Sequence, residues 1–238
     1  MLRRPIAALF IAMFAAAAAV TTGQGAASAQ PAGCPDVQLL FARGTAEAGA
    51  PMGFTGASFL QALQNRFPGK TVAGYPVDYT ASSDFGNPLA IAQSVLGGVR
   101  DAQNRVRLIA QSCPATRVVL GGYSQGAVVA GYTASDAVTL PANYGRYQRE
   151  VPGPLPGELM NHIAAVVLFA EPSPQWLNQA GAPAVSIAPQ LSPRTVRYCF
   201  PGDTICNGAP LGGPNALHVL YSVSSFPADG ANFVAAHL

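Results

Sequence analysis

The apolar positions of this chain switch repeatedly between the two periods of regular structure. Val37 to Ala42 is a short apolar run that ends at Arg43-Gly44-Thr45, which reads as a buried strand running into a loop. Phe59, Leu60, Leu63 and Phe67 then recur at helical spacing and stop at Pro68-Gly69. Val72 to Tyr79 reads as a second strand, interrupted by Pro76. Ile91, Val95, Val99, Val106 and Ile109 mark a long helix that ends near Cys113. Arg117 to Gly122 is a third strand around Val118-Val119-Leu120, and Gln125 to Ala134 is a helix of small residues. The wholly apolar Ile163 to Ala170 is a fourth strand and Thr195 to Phe200 a fifth; the tail from His218 to Leu238 reads as mostly helix. Strands alternating with helices predict an α/β fold, with a parallel sheet covered on both faces. Pro141 to Pro156 is rich in Pro, Gly and Tyr and lacks periodicity, so it is expected to be a long surface loop and a candidate rim of a site.

The N-terminus falls outside this pattern. Arg3 and Arg4 precede a charge-free, Ala-rich stretch from Pro5 to Val20, and Ala27-Ser28-Ala29 fits the small-residue cleavage rule. The apolar run is shorter than the ~20 residues of a membrane span, so residues 1–29 are expected to be a secretory signal peptide and 30–238 a single domain. Charged residues make up only 10% of the chain, and the net charge is +2. Without clustered Lys and Arg, nothing marks a nucleic-acid binder. Arg100, Arg105 and Arg107 are expected to form a solvated helix face.

Four cysteines are present. In an exported protein an even count reads as disulfides, and four residues allow three pairings. The closeness of Cys199 and Cys206 favours a local bridge, which leaves Cys34 with Cys113. Zinc is the weaker reading, because neither a C-x-x-C pair nor a nearby His at ligand spacing occurs.

The chemistry centres on Gly122-Tyr123-Ser124-Gln125-Gly126. It matches G-x-S-x-G and sits between an expected strand and an expected helix, the context of a nucleophile elbow. A serine hydroxyl needs a base, and the base needs an orienting acid. In this motif's fold the order along the chain is Ser, acid, His. Of the three histidines, His162 opens a buried strand and His237 is penultimate, which leaves His218. Asp203 after the fifth strand is favoured as the acid over Glu171 after the fourth, because the Cys199 to Cys206 ring would hold it in place. Gln125 and Thr45 are the candidate oxyanion donors. Arg43 is expected in a structural ion pair with Glu47 or Asp36. Leu211, Leu217, Val219 and Leu220 flank His218 and are candidates for an acyl groove or for core packing.

Phe41-Ala42-Arg43-Gly44-Thr45, Gly121-Gly122-Tyr123-Ser124-Gln125-Gly126, the Cys199 to Cys206 ring around Asp203, and His218 after a short apolar loop together resemble the cutinase family. The leader and composition suggest an actinobacterial member. The resemblance implies an α/β-hydrolase with a mostly parallel five-stranded sheet, flanking helices and no large lid. It also implies a Ser124–Asp203–His218 triad, an oxyanion hole of Thr45 and Gln125, and the bridges Cys34–Cys113 and Cys199–Cys206. The expected activity is a secreted serine esterase acting on lipid, polyester or short-to-medium acyl esters, with no cofactor and no metal. It is expected to work as a monomer with transient contact to lipid surfaces. Acetylxylan-type deacetylation and a non-catalytic interaction role are the rival readings. The Pro141 to Pro156 segment departs from the family pattern and is expected to reshape the substrate cleft.

Overall fold

The computed structural model of the chain describes residues 33–208 and 212–238; the expected leader and Leu211 lie outside them. Five strands form one sheet in the order β2-β1-β3-β4-β5, and every neighbouring pair is parallel. The strands are β1 (Val37–Ala42), β2 (Val72–Pro76), β3 (Arg117–Tyr123), β4 (Ile163–Phe169) and β5 (Thr195–Tyr198). The helices are α1 (Gly53–Arg66), α2 (Pro88–Ser112), α3 (Gln125–Thr133), α4 (Gly157–Met160), α5 (Pro174–Gln179) and α6 (Phe226–Ala235). Among the described residues no helix is long and apolar enough to cross a membrane.

The period of two along each strand divides the core. Leu39, Phe41, Val119, Val167 and Phe169 face a cluster shared with Phe59 and Leu63 of α1 and Val234 of α6. Leu40, Val118, Leu120, Val166 and Leu168 face the opposite cluster, with Val99 and Val106 of α2 and Val129 of α3. Each central strand therefore buries both faces, which explains its nearly continuous apolar run. The residues of α3 are buried all round, as the small, apolar composition of that helix requires. Asn87 caps α2, accepting from the Ala90 N–H at 3.2 Å, with Pro88 in the first turn.

Several expected boundaries move for identifiable reasons. The second strand stops at Pro76, which has no N–H to donate and is tolerated because β2 is an edge strand. The tail is mostly helical, as expected, but it is not one continuous α-helix. It makes short 3₁₀ turns at Ala216–Val219 and Tyr221–Val223 before α6 begins at Phe226. Within the expected loop, Ala142–Glu150 winds into 3₁₀ turns. The basic positions of α2 are not simply solvated. Arg105 lies over the Tyr75 ring at 4.9 Å and donates to Gln38 Oε1 at 2.7 Å.

Register fixes where chemistry is placed. Ala42 pairs with Gly122, Tyr123 with Phe169, and Phe169 with Tyr198. The segments that follow β1, β3, β4 and β5 thus emerge side by side at the carboxyl edge of the sheet. In open α/β sheets that edge is where ligands bind.

Candidate active site

Ser124 occupies the turn between β3 and α3 with φ 54° and ψ −117°, a conformation a non-glycine residue rarely adopts. Its N–H donates to the Phe169 carbonyl at 2.9 Å, and its own carbonyl accepts from Ala127 N–H at 2.9 Å. The flanking glycines are required by space. A Cβ on Gly122 would lie 2.0 Å from the Gly126 carbonyl oxygen, and one on Gly126 would lie 1.9 Å from the Ala42 carbonyl oxygen. The turn therefore fits between β1 and α3 only with hydrogen at both positions.

The structure brings the serine, the histidine and Asp203 together. His218 Nε2 lies 3.0 Å from Ser124 Oγ, and His218 Nδ1 lies 3.0 Å and 2.9 Å from the two oxygens of Asp203. Asp203 is fully buried and His218 nearly so. The bridge Cys199–Cys206 brackets Asp203, and Cys34–Cys113 ties the start of the described chain to the end of α2. His218 sits on the 3₁₀ turn started by Asn215, whose side chain accepts from His218 N–H at 3.3 Å and donates to Gly202 O at 2.8 Å. One asparagine thus links the segment carrying the imidazole to the segment carrying the carboxylate.

Two tyrosines complete this arrangement, and neither was singled out from the sequence. The Tyr221 hydroxyl donates to Asp203 Oδ2 at 2.7 Å and accepts from Phe200 N–H at 3.0 Å. The Tyr123 hydroxyl donates to the His218 carbonyl, and its ring lies 5.3 Å from the imidazole centroid. Burial pushes both phenols well above the ordinary tyrosine value, so both remain protonated donors. In the sequence Tyr123 is the unspecified position of the elbow motif and Tyr221 one tyrosine in a largely apolar stretch, and only the tertiary contacts give either a role.

Burial alone would raise the pKa of Asp203. The bonds from His218, from Ile205 N–H at 2.9 Å and from Tyr221 outweigh it, and the carboxyl sits below its ordinary 3.8. A carboxyl depressed in the folded state contributes stability in full above its unfolded pKa, and that contribution is lost as pH falls through the folded value. Tyr221→Phe removes one of the depressing bonds. The acid midpoint of unfolding, followed by near-UV circular dichroism below about pH 4, is expected to move to higher pH. An unchanged midpoint would mean that the phenol does not stabilise the carboxylate.

The loop after β1 faces Ser124. Glu47 closes it, accepting from Gly44 N–H at 2.9 Å and from Thr55 N–H at 2.8 Å, and the Tyr79 hydroxyl donates to the Arg43 carbonyl. Thr45 is held between these braces and lines the same cleft as Ser124. Gln125 opens α3, so its N–H is among those a helix leaves without an internal acceptor, at the positive end of the helix dipole. Its side chain donates to Ser82 O at 3.1 Å, while its buried Oε1 has no hydrogen-bond partner within the described residues.

The ion pair expected for Arg43 is not formed. Glu47 is spent on backbone N–H groups, Asp36 holds Thr71, and the Arg43 guanidinium donates to Thr80 O at 3.0 Å. Glu171 reaches the same sheet edge, but its carboxylate is taken by Arg197 at 2.5 Å. His162 lies at the opposite, amino end of β4, and His237 bonds Phe233 O at the end of α6. Val219 is 65% exposed at the cleft and Leu220 is 41% exposed, so neither packs the core as one reading expected; Leu217 is half-buried.

Ser124, Gln125, Thr45 and His218 open into a cleft of about 1120 Å³ whose walls are mainly apolar and aromatic. No His/Cys/Asp/Glu group able to hold a metal occurs among the described residues.

The profile of the family described as Cutinase matches residues 33–238. A probable carboxylesterase, Culp7 of Mycobacterium tuberculosis, is 45% identical over 169 residues, covering 71% of this chain and 86% of that protein. Phospholipase Culp4 of the same organism is 37% identical over 235 residues, covering 99% and 92%. Among solved structures, Trichoderma reesei cutinase in complex with a phosphonate inhibitor superposes with a TM-score of 0.61 at 29% identity, covering 85% of this chain and 76% of that one.

Proposed function

Because the chain belongs to the cutinase family and is a carboxylic ester hydrolase, we propose that Ser124 is its nucleophile, with His218 as general base and acid and Asp203 as the acid that orients it. The observation that carries this reading is the continuous chain of contacts from Ser124 Oγ through the imidazole to a buried carboxylate, at 3.0 Å and 2.9 Å. Asp203 fixes the tautomer with the proton on Nδ1 and leaves Nε2 free to accept the serine proton as Oγ attacks the ester carbonyl. The N–H groups of Gln125 and Thr45 receive the charge that develops on the carbonyl oxygen. His218 returns the proton to the departing alcohol. Water then attacks the acyl-enzyme by the same route in reverse, releasing the acid and restoring Ser124.

The substrate in this reading is an ester with an apolar acyl portion, of lipid or polyester origin. The apolar walls around Ser124 favour such a group over a hydrated carbohydrate. Export is part of the proposal. The leader-like residues 1–29 support it, as do two disulfides, which persist in oxidising compartments.

A fluorophosphonate probe is expected to label Ser124 stoichiometrically, as read by peptide mass spectrometry. p-Nitrophenyl butyrate is expected to be hydrolysed faster than acetylated xylan is deacetylated. Absence of label would sink the nucleophile assignment and favour a binding role. Faster release of acetate from xylan would overturn the lipid-ester reading.

A further inference from the structure

The cleft extends well past the reacting atoms, and the residues along that extension have no role in the mechanism above. Ser124, Val128 and Tyr132 follow one another at every fourth position, so they form one stripe along α3, and all line the cleft. At 1.5 Å per residue the stripe runs about 12 Å from the nucleophile. The facing wall comes from the segment that follows α3. Val138 and Leu140 lead into the 3₁₀ turns, which contribute Tyr144 and Tyr147.

This wall is braced, although Ala142–Glu150 contains no buried residue. Gln148 donates to Val138 O at 2.9 Å and accepts from Leu140 N–H at 2.8 Å, closing the segment on itself. Two side chains of α2 hold its far end: Arg100 donates to Glu150 O, and Gln103 to Gly153 O at 2.9 Å. A segment with no buried residue that is nevertheless fixed at both ends, with two tyrosine rings turned to the cleft, is built to contact something in the cleft.

We infer that this arm receives a long hydrocarbon chain of the ester substrate, so that residues 138–147 set chain-length preference. The inference rests on the esterase reading above and names the substrate class within it. A zigzag chain built of C–C bonds of about 1.5 Å advances roughly 1.3 Å per carbon, so the stripe accommodates roughly nine carbons. Each buried methylene contributes about fourfold in kcat/KM, equivalent to about 0.8 kcal/mol.

The test is the hydrolysis of p-nitrophenyl esters from butyrate to dodecanoate, each below its critical micelle concentration, by the full mature chain and by Val138→Trp and Tyr147→Ala. kcat/KM is expected to rise from butyrate up to roughly nine carbons and then level off. Val138→Trp, which fills the arm, is expected to lower the dodecanoate-to-butyrate ratio tenfold or more. Tyr147→Ala, which removes part of the wall, is expected to lower it severalfold. Fluorophosphonate labelling reports whether each variant keeps a folded site, and a variant that labels decides the question. An unchanged ratio in such a variant, or a wild-type profile that falls steadily from butyrate, overturns the arm. If the wild-type chain neither labels nor cleaves butyrate, it is the esterase reading that fails.

Discussion

Ser124→Ala is expected to lower kcat on p-nitrophenyl butyrate by roughly 10⁶-fold, as loss of a nucleophile does in triad hydrolases. Alanine keeps the Cβ and the backbone of the turn, and it deletes only the oxygen 3.0 Å from His218 Nε2. The Ser124 N–H bond to Phe169 O and the helix start behind it do not involve that oxygen. Thermal unfolding is therefore expected to shift by no more than a few degrees, since about 1 kcal/mol moves the midpoint of a domain of this size by roughly 2–4 °C. Some acceleration over water should remain, because the proposed oxyanion donors and the cleft are untouched. The measurement is the burst-free steady-state rate on purified protein, together with loss of fluorophosphonate label. A variant within tenfold of the parent rate would mean that acyl transfer does not pass through this hydroxyl.

Asp203→Asn is expected to cost about 10⁴-fold in kcat with the fold preserved. The carboxylate only accepts, so it demands a proton on the facing Nδ1 of His218. An amide placed there can donate instead. The imidazole then carries its proton on Nε2, toward Ser124, where it is useless as a base. The bonds from Ile205 N–H and Tyr221 leave little room for the amide to turn another way. Glu171→Gln is the matched control: it disturbs an ion pair with Arg197 and leaves the His218–Asp203 contact in place, and it is expected to change kcat by less than tenfold. If the two variants behave in the opposite sense, Glu171 is the orienting acid and Asp203 a structural carboxylate.

What could be read from the sequence was whatever is local or fixed by order along the chain. The elbow was legible because the turn's constraint is written into consecutive residues: only hydrogen fits at Gly122 and Gly126. The three central strands were legible because burial on both faces leaves a nearly continuous apolar run in each. Asp203 could be preferred to Glu171 because a short Cys199–Cys206 ring encloses it. The supporting residues were not legible. Tyr221 and Tyr123 act through contacts set by tertiary packing, 18 and 95 residues away along the chain, and Glu47 through backbone N–H groups of its own loop and of α1. The expected Arg43 ion pair failed for a local reason. Glu47 is near in sequence, but the turn uses its carboxylate to satisfy backbone donors, which would otherwise be left unpaired. The helical character of the tail was legible, but its division into 3₁₀ turns and α6 was not, because apolar spacing does not separate the two.

The dihedral angles of Ser124 set durability against turnover at a single residue. A side chain held at φ 54° costs the fold about 1–3 kcal/mol, a substantial share of the margin by which a small domain stays folded. Glycine there would relax the turn and, under the proposed mechanism, abolish the chemistry, so the most heat-resistant version of this chain is expected to carry a different residue at position 124 from the most active one.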